Sequence, residues 1–267
     1  MCLVFHFWVK VAECLRELLT RILFARPFTH RALHGQTKPD LAMMTVDPKR
    51  LVLCALFAGL LLISGFLRLS EYQPTLLSPF SEFAMPLYFV GTIVAAVVLV
   101  NLGTDFNRMG FGFPIRFEHL MAAAVGVVLL QLSASFLSPI WESILGQSSD
   151  LERFSGLDGS LPRLLGFIVV SWTIAAFGEE FAFRIVLMGG LQAALGGGKK
   201  VALAALLIQA CIFGLVHMYQ GPVAIISSTI SGLILGGLVL SFRGAIWPAA
   251  LAHGANNTFG LVNLYLG

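Results

Sequence analysis

From residue 51 to the C-terminus the chain is a succession of apolar runs separated by short polar turns. A helix needs about 20 apolar residues to cross the hydrocarbon core of a bilayer. Seven runs approach that length: 51–69, 84–102, 119–137, 164–195, 201–217, 222–241 and 246–265. The pattern predicts an all-α, polytopic transmembrane helix bundle spanning 51–267, preceded by a segment of different character over 1–50. The fourth run is too long to stand upright, at about 48 Å for a straight helix rising 1.5 Å per residue. It must tilt strongly or break, and Gly178 is the position that invites a break.

The first fifty residues read differently. His6, Lys10, Glu13, Arg16, Glu17, Thr20 and Arg21 recur at intervals that draw one polar stripe along a helix, with Val, Leu, Phe and Trp elsewhere. That is the pattern of an amphipathic helix lying in the membrane interface. An ordinary N-terminal extension fits as well, as does a start at Met43 or Met44, and an eighth membrane element stays open here. No basic n-region leads into an uninterrupted apolar core, so a signal peptide is not expected. His30 and His34 stand four apart with no acid beside them and read as a solvated pair.

Lys and Arg placement sets the expected orientation. Lys10, Arg16, Arg21, Arg26, Arg31, Lys38, Lys49 and Arg50 put the N-terminus in the cytoplasm. The loop after the first run offers Glu71 and Glu82, whereas the loop after the second offers Arg108 and Arg116. Glu142, Asp150, Glu152 and Asp158 follow the third, Lys199 and Lys200 the fourth, and Arg243 the sixth. The alternation agrees with seven spans.

Composition sharpens the class. Hydrophobic residues make up 57% of the 267 and charged ones only 12%, against about 25% in a soluble domain. Membrane lipids are therefore the expected surroundings. No basic patch with interleaved aromatics offers a surface for nucleic acid. Cys2, Cys14, Cys54 and Cys211 show no ligand or disulfide spacing and read as small apolar residues.

Against this background Glu179, Glu180 and Arg184 stand out inside the fourth run. A charged group at the bilayer centre costs about 2.5–3.5 kcal/mol on insertion scales, and is tolerated where it faces a bundle interior and is paired. Glu180 and Arg184 are four apart with the acid N-terminal, the better order for a helical ion pair. Glu179 is rotated by about 100° from Glu180. A purely structural pair explains Glu180 and Arg184 and leaves Glu179 without a task. Two acids in different surroundings acquire different proton affinities, as general acid–base chemistry requires.

Two further runs carry polar groups. His217 closes the fifth, in Phe213-Gly214-Leu215-Val216-His217; a lone His at a helix end is more often an interfacial residue than a ligand. Depth alters those odds, since Glu179 and His217 both lie about 24 Å from the cytoplasmic ends of their spans. They can meet. His253 and Asn257, four apart in the seventh run, share a helix face. Alone they could be interhelical hydrogen-bonding glue among the small residues Ala249, Ala250, Ala252, Gly254 and Ala255. Gly232, Gly236 and Gly237 in the sixth run read as close packing without chemistry.

The ordered set Glu-Glu-x-x-x-Arg, Phe-x-x-x-His and His-x-x-x-Asn, on successive apolar helices, resembles the CPBP family. These are the CAAX-protease and bacteriocin-processing membrane proteins, also called the Abi family, to which the prenyl-protein endopeptidase belongs. The resemblance rests on Glu179, Glu180, Arg184, Phe213, His217, His253 and Asn257, and covers a catalytic core over 164–267. It implies an intramembrane endopeptidase acting on a membrane-associated protein or peptide, lipidated or not, in CAAX-type processing or in bacteriocin maturation and immunity. Glu179 would activate water, His217 and His253 would line the same cavity, and Asn257 would stabilise the oxyanion. Glu180 with Arg184 would orient the site. If a zinc ion is bound, His217 and His253 with Glu179 form the candidate set; Glu179 would then be lost as base, which slightly favours a metal-free glutamate mechanism. A silent membrane scaffold and a proton-coupled transporter are the rival readings of the cluster. The compact length suits a bacterial inner membrane.

Overall fold

The computed structural model describes residues 46–73, 75–105 and 114–267. The expected N-terminal amphipathic helix, the His30/His34 pair, Cys2, Cys14 and Arg108 lie outside the described residues. Within them the protein is all helical, without a strand.

Seven long helices follow one another: α1 Pro48–Tyr72, α2 Ala84–Asn101, α3 Phe117–Leu145, α4 Leu161–Ala194, α5 Lys199–Leu215, α6 Pro222–Ser241 and α7 Trp247–Leu266. A 3₁₀ stretch, Ser78–Phe83, leads into α2. Five are long and apolar enough to cross a membrane, namely α1, α2 with its 3₁₀ lead, α3, α4 and α6. The other two occupy the fifth and seventh expected spans: α5 has 17 residues, and in α7 His253 and three asparagines dilute the apolar surface. This is a multi-pass membrane protein.

The helix ends follow from local chemistry. Pro48 takes the first turn of α1, where its missing N–H costs nothing, and the Asp47 carboxylate accepts from the backbone N–H groups of Lys49 and Arg50. The Asp47 backbone N–H donates to Ala194 at 2.7 Å, and Arg50 donates to the Leu102 carbonyl. The start of α1 is thus tied to the ends of α2 and α4, gathering Lys49, Arg50, Lys199 and Lys200 at one end of the bundle.

The α4 helix removes one arm of the tilt-or-break alternative, the break. It runs unbroken from Leu161 to Ala194, but the turns Ser171–Glu179 and Phe181–Gly189 are widened to π-helix. Gly178 is not a hinge, and a Cβ there would only reach ordinary contact with Phe89 at 3.6 Å. Widened turns re-aim side chains and recur at functional sites. Here they flank Glu180.

Packing places apolar surface outward. Val90, Ile93, Val94, Val97 and Val100 on α2 are each at least half exposed, as a lipid-facing helix should be. Lipid is as apolar as Leu, so the helices associate through close van der Waals fit at small residues. The expected packing role of Gly232 and Gly236 is met: added Cβ atoms would lie 3.0 Å from Ala210 Cα and 2.5 Å from Leu206 Cδ1, at the α5–α6 seam.

A similar seam fixes the site. A Cβ on Gly65 of α1 would sit 2.7 Å from Val216 Cα and 3.0 Å from its carbonyl oxygen, both backbone atoms. Gly65→Ala should therefore push α1 off the end of α5 and shift His217, the next residue. For the peptide hydrolysis that the sequence resemblance implies, roughly a tenfold fall in turnover with helicity retained is expected, since small misplacements of reacting groups are costly. Gly59→Ala, whose Cβ meets nothing within 4 Å, is the control. Circular dichroism beside turnover checks both, and unchanged turnover in the Gly65 variant would refute the positioning role.

Candidate active site

The polar residues of α4, α5 and α7 converge beside a cleft walled by α1 and α2. Glu180 and Arg184 are fully buried, and the Glu180 Oε2 to Arg184 Nε distance is 3.1 Å. The pair is an ion contact rather than an aligned hydrogen bond, and the terminal Arg184 nitrogens find no acceptor among the described residues. The guanidinium instead rests on the Phe213 ring, 4.6 Å from its centroid, where the negative ring face offsets part of the charge.

The second oxygen of Glu180 serves α7. His253 Nδ1 lies 2.9 Å from Glu180 Oε1. A carboxylate oxygen accepts, so the imidazole donates its Nδ1–H and turns Nε2 the other way. Glu179 Oε2 stands on that side, 4.0 Å from His253 Nε2. Glu180 is therefore spoken for on both oxygens. Glu179, one-fifth exposed at its side chain, keeps a carboxylate open to the cleft.

His217 lies just beyond the last turn of α5, and its Nδ1 is 2.7 Å from the Phe213 carbonyl. A carbonyl only accepts, so Nδ1 carries the proton and Nε2 presents a lone pair. Phe213 also packs tilted against His217 with centroids 4.8 Å apart, faces His253 edge-on at 6.2 Å and meets Phe183 at 4.9 Å. The phenylalanine of Phe-x-x-x-His is thus the common floor under both imidazoles and Arg184.

Glu179 and His217 line one cleft together with Arg68, Tyr88, Phe183 and Tyr219. Above it, Arg68 covers the Tyr219 ring at 4.3 Å, and Arg153 donates to the Tyr219 hydroxyl at 2.6 Å. Asn257 shares the His253 face of α7 and is partly buried, but makes no hydrogen bond to another described residue. The structure thus joins Glu179, Glu180, Arg184 and His253 by direct contact and brings His217 to the same cleft, with Asn257 standing off.

Arg68, Tyr88 and Tyr219 escaped the sequence reading, being scattered over α1, α2 and the turn after α5. One signal was present: Tyr88 is the single phenol in the run 84–102. Zinc finds little support in the geometry. Among the described residues no three His, Cys, Asp or Glu side chains are gathered closely enough to hold a metal ion. No step below is routed through one.

Residues 161–259 match the family described as Type II CAAX prenyl endopeptidase Rce1-like. Over this segment the chain is similar to the CAAX protease family. The matched segment contains Glu179, Glu180, Arg184, His217, His253 and Asn257, and it runs from the start of α4 into α7. No curated protein and no solved structure matches the chain. The first three helices of this CAAX protease relative, which supply Arg68 and Tyr88 to the cleft wall, lie outside the matched segment.

Proposed function

We propose that this protein is an intramembrane endopeptidase in which Glu179 activates water to hydrolyse a peptide bond of a membrane-associated, CAAX-type substrate. The observation that carries the reading is the division of labour between two adjacent acids. Glu180 is buried and held by Arg184 and His253 at 3.1 and 2.9 Å, whereas Glu179 faces the cleft and meets His253 only at 4.0 Å among the described residues.

The chemistry follows from that division. Glu179 takes a proton from water as its oxygen attacks the peptide carbonyl carbon, and the carbonyl π pair moves onto oxygen. When the tetrahedral adduct collapses, the C=O bond re-forms and the C–N bond breaks. The proton held by Glu179 passes to the departing amine, leaving an acid, an amine and a regenerated carboxylate. His217, with its Nε2 lone pair toward the cleft, orients the water. His253 sits between the two acids and carries the influence of the Glu180–Arg184 pair to Glu179. Asn257, one turn along the His253 face, reaches the carbonyl oxygen once substrate fills the cleft.

The basic bundle end carrying Lys49, Arg50, Lys199 and Lys200 is the cytoplasmic one in this reading, in a bacterial inner membrane. The decisive test uses detergent-purified full-length protein and an internally quenched peptide bearing a prenylated Cys four residues from a free C-terminus. The same peptide without the prenyl group is the comparison. Cleavage near that Cys, faster on the lipidated peptide, is expected. Cleavage of neither peptide would overturn the reading, and equal cleavage of both would remove the lipid preference.

A further inference from the structure

We infer that Tyr88 is a catalytic residue, donating its phenolic O–H to the substrate carbonyl oxygen as negative charge develops there; the inference rests on the endopeptidase reading above. Four observations place it. Tyr88 lines the cleft together with Glu179 and His217. It is 8% exposed, and its hydroxyl is buried with no hydrogen-bond partner among the described residues. Glu179, Arg184 and Glu180 all lie within electrostatic reach of that hydroxyl. Its ring is held by the core of the bundle and by an edge contact with Phe89 at 5.3 Å.

A buried hydroxyl with no partner is a standing cost that native proteins rarely carry. The phenol is therefore placed for a guest, and the guest must bring an acceptor. Within a peptidase cleft two acceptors are available, the attacking water and the scissile carbonyl oxygen. A donor aimed at the water would occupy the lone pair that has to attack. A donor aimed at the carbonyl strengthens as the oxygen gains charge, which is how transition-state stabilisation works.

The imidazoles leave this task open. His217 spends Nδ1–H on Phe213 and His253 spends its own on Glu180, so neither Nδ1–H is left to offer the oxyanion. Tyr88 supplies a donor from the opposite wall, beside the one Asn257 brings. No proton is transferred. The phenol keeps its O–H throughout while the carbonyl π pair moves to oxygen and returns.

The test compares wild type with Tyr88→Phe on the prenylated quenched peptide, reading kcat, KM and the thermal midpoint in detergent. Phenylalanine keeps the ring and removes the unpartnered hydroxyl, so a merely structural Tyr88 predicts unchanged turnover. We expect kcat to fall about 10²-fold, as for loss of one oxyanion donor, with KM unchanged and the midpoint unchanged or raised. Unaltered kcat overturns the proposal. A rise in KM alone overturns it too, by making the phenol a ground-state contact, and so does a lowered midpoint accompanying the loss. An inactive wild type would fail the endopeptidase reading itself, whereas active wild type with active Tyr88→Phe fails only the role of Tyr88.

Discussion

Glu179→Gln is expected to lower peptide turnover by about 10⁴-fold, the upper end of what one general base contributes, while leaving the bundle folded. Glutamine keeps the shape of the side chain and removes the basic oxygen. Among the described residues the one ion-pair contact of Glu179 is the long one to His253 Nε2 at 4.0 Å, so neutralising it leaves the Glu180–Arg184 pair intact. Glu180→Gln is the informative contrast. That change takes the counter-charge from Arg184, which is wholly buried, so lost activity should come with a lowered unfolding midpoint. Turnover against the quenched peptide, beside thermal unfolding, separates the base from the structural acid. Wild-type turnover should also survive a chelator, since the described donors do not gather into a metal-holding set. Retention of activity within tenfold in Glu179→Gln would sink the assignment. Loss of wild-type activity to the chelator, with restoration by zinc, would move Glu179 from base to ligand.

The sequence shows how far apolar periodicity and motif order reach. Seven helices stand where seven runs were read, because hydropathy is a property of each segment taken alone. The pairing of Glu180 with Arg184 was legible from their spacing, and the separate direction of Glu179 from the helical rotation between neighbours. The course of α4 was not. A 32-residue apolar run containing Gly178 suggests a tilt or a break; the helix does not break, and it widens two stretches beside its polar residues. That choice depends on what packs against it. Phe213 illustrates the same limit. Its spacing to His217 marks a motif, but its carbonyl fixing one imidazole while its ring supports Arg184 is visible only in three dimensions. Tyr88 lies deeper still, since a phenol on α2 acquires meaning only when the bundle brings it to Glu179.

Arg184→Met is expected to destabilise the protein by about 3–5 kcal/mol, the usual consequence of removing one member of a buried ion pair. Methionine fills much of the arginine volume and retains contact with the Phe213 ring, so packing loss contributes little. What remains is the Glu180 carboxylate, with no exposed surface and only His253 Nδ1–H as a donor. Arg184→Lys should rescue poorly, because a compact ammonium lacks the planar face that rests on Phe213 at 4.6 Å. The double variant Glu180→Gln/Arg184→Met should recover most of the loss. With both charges gone nothing ionic is left buried, and the glutamine oxygen still accepts from His253. Unfolding in detergent by heat or denaturant measures all three variants on one scale. Stability of Arg184→Met within about 1 kcal/mol of wild type would show that the pair is not isolated from water as the structure has it. If the double variant folds as firmly as wild type yet cleaves slowly, the pair serves orientation of His253 rather than the strength of the fold. The arrangement of α4 favours that result. A buried pair whose guanidinium leaves all three nitrogens without a hydrogen-bond acceptor among the described residues gains too little to be there for stability alone.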